Sequence, residues 1–171
     1  MNRSSSPRSA TRANSFRLVL ALCLLGATLA ACDGSRAEPR RDVTSPEGWV
    51  TIRGQRVAVE LAITPAEQQL GLGQRDTLAW DDGMLFLYDK PGFYRFWMKD
   101  MRFDIDIVWI RGDRIVDISH RVPHVPGENG PTVSPVELVD KVLEVPAGYA
   151  TALGWRSGQP VEVELIRPGR G

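Results

Sequence analysis

Short apolar runs separated by turn sequences recur from residue 49 onward, and they constrain the fold more than any other feature. Each run has the length of a strand, and several alternate apolar with polar residues. The runs occupy residues 49–52, 56–63, 84–88, 94–98, 105–110, 114–118, 139–145 and 161–166. No alternation of strands with long helices is visible, which disfavours a parallel doubly wound sheet. The pattern predicts a mainly β (α+β) domain, an antiparallel sheet rolled into a barrel-like form with one or two short helices.

The clearest helix signal follows the second run. Thr64 is a good N-cap, Pro65 suits the first helical position, and Glu67 completes a capping box. This helix is expected to end near Gly71 or Gly73, and a second short helix is expected between Pro146 and Gly154. Residues 119–135 contain four prolines and are predicted to form a long loop.

The N-terminal segment predicts export. Four arginines and no acidic residue precede an apolar run at 18–30, and 13 residues are too few to span a bilayer, which needs about 20. The sequence Leu29-Ala30-Ala31-Cys32 resembles the bacterial lipobox, in which the cysteine is lipidated and becomes the mature N-terminus. We therefore expect a lipoprotein signal peptide at 1–31, lipidation of Cys32, and a protein held on a bacterial membrane, facing the periplasm or the cell exterior.

The remaining boundaries follow from composition. Residues 32–48 are polar and contain prolines and glycines, which is typical of a flexible tether. Residues 49–167 form the predicted single domain, and 168–171 form a tail. Without residues 1–31 the chain has 17 basic and 21 acidic residues, which disfavours binding to nucleic acid.

Several chemical classes are disfavoured by what the domain contains. The two cysteines, Cys23 and Cys32, both precede it, so a disulfide framework and a four-thiolate zinc site are excluded there. No serine lies in a G-x-S-x-G elbow, and no glycine-rich phosphate loop follows a strand. We expect no cofactor, and covalent catalysis is disfavoured.

An ordered series of motifs resembles the Domain of Unknown Function 192 family. The motifs are Gly71-Leu72 with Arg75, Gly83-Met84-Leu85-Phe86, Phe96-Trp97-Met98-Lys99, Asp106-Ile107, and Val142-Leu143-Glu144 with Ala147-Gly148. The resemblance covers residues 50–166 and implies a small, mostly β domain that is often exported; it implies no activity. The chain departs from the family's usual pattern at Gly73-Gln74, at Asp100-Met101, where the family has Asn-Thr, and at Asp104, where it has Pro. A family site that used those residues would be altered here.

Two aspartates are the candidate catalytic residues. Asp104 and Asp106 are two apart on a predicted strand, so their side chains share a face and their Cα atoms lie about 6.5 Å apart. That spacing suits the acid–base pair of a glycoside hydrolase, which makes a hydrolase of cell-wall or sugar polymers one alternative. The other interpretation is a strand with a wet face, or a carboxylate bonded to neighbouring backbone.

Two other sets of residues are candidates for binding. His120 and His124 have half the spacing of a zinc site, with Asp117 or Glu128 as a third ligand, so a metal-binding protein is a second alternative. Arg95, Trp97 and Lys99 share one face of a predicted strand and form a candidate groove for a small molecule, sugar or peptide. Alternatively, the Arg95 and Lys99 stems cover Trp97. These features favour a non-enzymatic binding or envelope-associated domain over an enzyme.

Overall fold

The computed structural model describes residues 46–166, and its elements follow the predicted runs. The strands within this range are β1 (Gly48–Ile52), β2 (Gln55–Ala62), β3 (Asp82–Gly92), β4 (Phe96–Trp97), β5 (Ile105–Arg111), β6 (Arg114–Val122), β7 (Thr132–Val133), β8 (Val139–Pro146) and β9 (Val161–Leu165). The helices are α1 (Pro65–Leu70) and α2 (Tyr149–Ala152). Thr64 forms the predicted capping box with Glu67, so that prediction is confirmed.

Seven strands form one curled sheet in the order β6-β5-β8-β3-β2-β1-β9, a half-barrel, and β4 pairs with β7 beside it. The two edge strands of the large sheet, β6 and β9, approach each other at one end. There the Val161 N–H donates to the Asp113 carbonyl (2.8 Å) and the Ile115 N–H donates to the Gln159 carbonyl (3.0 Å). The prediction of a mainly β, barrel-like fold with two short helices is therefore confirmed.

The sheet carries a hydrophobic core on each face. The first core lies on one face and is closed by Tyr149 and Ala150 of α2 together with Trp155. The second core lies on the other face of β3, β5 and β8, where Phe96, Met98, Met101 and Leu72 cover it. In β5, Val108 and Ile110 face the first core while Ile107 and Trp109 face the second, as strand alternation requires.

Two details differ from the sequence predictions. β2 and β3 are parallel, because the chain crosses over through α1 before it rejoins the sheet, whereas an antiparallel sheet was expected throughout. The predicted loop at 119–135 is shorter than expected, since Ser119–Val122 continue β6 and Thr132–Val133 form β7. Both differences come from pairing with distant residues, which local periodicity does not report.

Candidate functional site

Asp106 lies in β5 with no exposed surface, and both of its carboxylate oxygens accept backbone hydrogen bonds. Oδ1 accepts from the N–H groups of Arg121 (2.7 Å) and Gly148 (3.0 Å), and Oδ2 accepts from the N–H of Ala150 (2.9 Å). The carboxylate thus joins the start of α2 to β5 and β6. Its oxygens are occupied by the protein's own backbone.

A bulge in β6 gives Asp106 one of these donors. Ile105 pairs with Val122 but Ile107 pairs with Ser119, so two residues of β6 lie opposite Asp106. One of the two, Arg121, has a left-handed backbone with φ of 48°. A bulge redirects the strand locally, and here the Arg121 N–H points at the carboxylate.

His120, Thr151 and Asp106 are neighbours, but they do not form a catalytic triad. The His120 Nδ1 atom lies 3.3 Å from the Thr151 hydroxyl and 4.0 Å from Asp106 Oδ2. In a triad the acid holds one ring nitrogen and the nucleophile uses the other. Here the same nitrogen faces both groups, so no proton relay runs through the ring.

Asp104 precedes β5 and pairs with His124. Asp104 Oδ1 accepts the His124 backbone N–H at 2.9 Å and lies 2.6 Å from the ring Nδ1. The side-chain hydrogen bond to His124, followed by the backbone bond, holds the pKa of the Asp104 carboxyl below its ordinary value. Asp104 and Asp106, predicted as an acid–base pair, therefore hold separate segments of the chain.

The same contacts separate the two histidines. His120 lies beside Asp106 and Thr151, whereas His124 is bonded to Asp104. Within residues 46–166, no group of three or more His, Cys, Asp or Glu side chains is arranged to hold a metal ion.

The residues predicted to form an aromatic and basic face lie between β3 and the turn after β4. Burial alternates strictly from residue 93 to residue 99, so Tyr94, Phe96 and Met98 face inward. The outward side chains form what we call the aromatic-basic stripe: Phe93, Arg95, Trp97 and Lys99. The Lys99 Nζ atom lies 5.8 Å from the centroid of the Trp97 ring.

A cleft of about 390 Å³ begins one residue beyond the stripe. It lies between the loop after α1, the turn after β4 and the loop after β6. Its lining residues are Gln74, Asp100, Met101, Arg102, Val125, Gly127, Glu128 and Asn129. Arg102 also forms an ion pair with Asp76, so its charge is compensated. Asp100 and Glu128 have no ion-pair partner among the residues that the structure describes.

Two residues of this cleft have a strained backbone. Gln74 has φ of 66° and Asp100 has φ of 56°, both in the left-handed region. The Gln74 N–H donates to the Asp100 carbonyl at 2.8 Å, which joins the two loops at this point. A left-handed conformation costs an L-residue roughly 1–2 kcal/mol, and such strain clusters at ligand and active sites.

A buried acidic group lies beneath the loop that carries Gln74. Glu144 of β8 is 6 % exposed, and its Oε2 has no hydrogen-bond partner within residues 46–166. Burial raises the pKa of the Glu144 carboxyl to about 8, against an opposing influence of Arg75. Arg75 itself is bonded to both carboxylate oxygens of Glu60, at 2.5 and 2.7 Å. Glu60 and Glu144 lie on either side of Met84 in the sheet. Two carboxyl groups are therefore close to Arg75, which is bonded only to Glu60.

The family model for DUF192, described as an uncharacterised ACR, matches residues 48–163. The chain belongs to the DUF192 family. The match runs from the first residue of β1 into β9, so the resemblance seen in the motifs is confirmed.

Two crystal structures resemble this DUF192 domain. One is a candidate transcription regulator from Sinorhizobium meliloti, with 29 % identity and a TM-score of 0.60 over 68 % of this chain and 91 % of that chain. The other is a protein of unknown function from Novosphingobium aromaticivorans, with 33 % identity and a TM-score of 0.61 over 67 % and 83 % of the two chains. No curated protein matches the chain.

The cleft was not predicted as a site, although the resemblance to DUF192 contained a signal for it. Gln74 and Asp100, its two strained residues, stand where the chain departs from the family's usual motifs. The predicted lipidation site Cys32, the signal peptide, most of the tether and the tail lie outside the described residues. Across residues 46–166, no helix is long and apolar enough to cross a membrane.

Proposed function

We propose that this DUF192 protein is an exported, lipid-anchored binding protein, and that its β domain binds a small polar ligand in the cleft without catalysing a reaction. The strained pair Gln74 and Asp100 carries the proposal. A backbone held in a costly conformation at the mouth of a polar cleft is typical of a site shaped for a ligand.

The chemistry of the cleft supports binding. Asp100, Glu128, Gln74 and Asn129 offer carboxylate and amide groups to a ligand, and the paired charge of Arg102 lies among them. A few convergent polar groups in a concave site fix the orientation of a ligand. The geometry supports a hydrolase less well, because Asp106 is buried with both oxygens bonded to backbone N–H groups.

The strain gives a direct test of the cleft. In the domain of residues 46–171, we expect the double change Gln74→Gly and Asp100→Gly to leave the free energy of unfolding unchanged or to raise it by about 1 kcal/mol, because glycine adopts positive φ without steric cost. A panel of cell-wall saccharides, short peptides and small amines is then screened by thermal melting. A ligand that raises the melting temperature of the wild type is expected to lose that effect in the double variant.

Arg53→Gly is the matched control, since Arg53 has φ of 54° in a hairpin turn away from the cleft. It should relieve similar strain and keep the response to the ligand. A ligand that stabilises the double variant as much as the wild type would place the binding site elsewhere.

The anchor is tested by metabolic labelling of the full chain with an alkyne fatty acid in a bacterial host. We expect Cys32→Ser to reduce the label to background and to leave a larger, unprocessed precursor, because lipid attachment at that thiol is what the lipobox-like sequence predicts. Cys23→Ser is the control and should label like the wild type. Label that persists in Cys32→Ser would contradict the proposed anchor.

A further inference from the structure

We propose that the aromatic-basic stripe is a second membrane contact, which lays the domain against an anionic bilayer surface. This inference goes beyond the proposed function and rests on it for the nearness of a membrane. The sequence predicted a ligand groove at Arg95, Trp97 and Lys99, whereas this inference assigns them to contact with lipid.

The aromatic side chains of the stripe are more exposed to solvent than the fold of this segment requires. Phe93 is 62 % exposed and Trp97 is 52 % exposed, although Tyr94, Phe96 and Met98, which alternate with the stripe residues, are partly or fully buried. Two large aromatic side chains and two cations thus project to the same side of one segment. Large amphipathic rings and long basic side chains are the groups that lie at a membrane–water interface.

The charge of the stripe differs from that of the rest of the domain. Residues 46–166 contain 12 basic and 18 acidic side chains, a net charge of −6. Residues 90–99 contain Lys90, Arg95 and Lys99 and no acidic residue. Within the described chain none of these three cations has an ion-pair partner. An anionic bilayer therefore repels the domain in general and attracts it through this segment, which selects one orientation.

The stripe and the start of the domain lie toward the same end of the sheet. Gly48 is aligned with Val59 and Gly83, and Glu47, the residue before Gly48, accepts the Leu61 N–H on its side-chain carboxylate. Phe86 is three residues beyond Gly83, about 10 Å along the strand, and its ring lies 4.7 Å from the ring of Phe96 in the stripe segment.

The length of chain before the domain is sufficient for this contact. Fourteen residue steps separate Cys32 from Pro46. A chain of that length spans at most roughly 46–50 Å, which exceeds the distance across a domain of about 120 residues. A domain anchored at Cys32 can therefore turn the stripe onto the same membrane. The cleft, one residue further along the chain, would then be held close to the bilayer surface.

Vesicle binding by the domain without its anchor tests the inference. The domain of residues 46–171 is mixed with vesicles of phosphatidylglycerol and phosphatidylcholine, or of phosphatidylcholine alone, and binding is measured by co-sedimentation and by the emission maximum of tryptophan. We expect binding only to the phosphatidylglycerol vesicles, a blue shift on binding, and weaker binding as salt is raised.

Charge reversal gives the decisive comparison. Arg95→Glu with Lys99→Glu should weaken vesicle binding at least about tenfold, since each surface cation contributes roughly fivefold. Trp97→Ala should weaken it by roughly tenfold through lost apolar contact. Arg111→Glu with Arg156→Glu changes the net charge by the same amount at exposed sites outside the stripe, and should stay within about twofold of the wild type. Equal melting temperatures show that the variants are folded.

Three results would overturn the inference. The first is a wild type that does not bind phosphatidylglycerol vesicles. The second is a control pair that loses as much binding as the stripe pair, and the third is a domain that binds a soluble anionic polysaccharide in place of vesicles. Because this domain lacks Cys32, its result does not depend on whether Cys32 is lipidated, so failure of the proposed anchor and failure of the stripe are distinguishable.

Discussion

Replacing Asp106 with alanine is expected to lower the free energy of unfolding of the domain by about 3–5 kcal/mol. The change leaves the N–H groups of Arg121, Gly148 and Ala150 without their acceptor, and a buried unpaired N–H costs roughly 1–3 kcal/mol. At roughly 3–6 °C per kcal/mol, the melting temperature should fall by at least about 10 °C. Urea unfolding of residues 46–171, followed by tryptophan fluorescence, measures the change.

Two further variants sharpen this prediction. Asp106→Asn keeps one carbonyl oxygen but turns an amide N–H₂ toward a backbone donor, so a smaller loss of about 2 kcal/mol is expected. Asp104→Asn is the control, because Asp104 is partly exposed and its main bonds are to the single residue His124. If the Asp106 variants melt like the wild type or higher, Asp106 is kept at a cost to stability, as functional residues often are, and the hydrolase hypothesis regains its best residue.

The fold was predictable because its signals are local. Alternation in residues 56–63 and the short apolar run at 105–110 mark strands, and Thr64 with Glu67 marks the start of α1; each signal needs only a few neighbouring residues. The pairing partner of each strand is not encoded in such local signals. The parallel pairing of β2 with β3 and the continuation of β6 through Val122 depend on residues far away in the chain.

The site was less predictable for the same reason. The sequence indicated Asp106, but its three donors come from residues 15 to 44 positions away and depend on the bulge in β6. The left-handed backbone of Gln74 and Asp100 has no simple sequence signal beyond the departure from the family motifs. Glu144 did carry a signal, since it is an acidic residue inside the apolar run Val142-Leu143-Glu144-Val145.

Raising the pH from about 5 to 9 is expected to destabilise the wild-type domain through Glu144. The pKa of this carboxyl is raised to about 8 in the folded protein, above its ordinary value of 4.5, so the folded state favours the protonated form. Its contribution to stability is therefore fully present below pH 4.5 and is lost as the pH rises through about 8. The difference between 8 and 4.5 sets an upper limit of about 5 kcal/mol.

Glu144→Gln isolates this contribution because the glutamine amide stays neutral at every pH in the range. We expect the variant to resemble the wild type near pH 5 and to be more stable by several kcal/mol near pH 9, as measured by urea unfolding at each pH. The groups facing Glu144 do not produce this difference. Arg75 keeps its charge throughout, and burial holds the pKa of Tyr88 above the range.

The exposed Glu137→Gln is the matched control, since it removes the same charge at the surface and should keep the pH dependence of the wild type. If the wild type and Glu144→Gln show the same dependence on pH and the variant is the less stable of the two, Glu144 is already ionised at pH 5. Arg75 would then have to bind Glu144 as well as Glu60. In that case we expect Arg75→Met to restore the missing pH dependence. Among the described residues, Arg75 is the only cation that opposes the effect of burial on the pKa of Glu144.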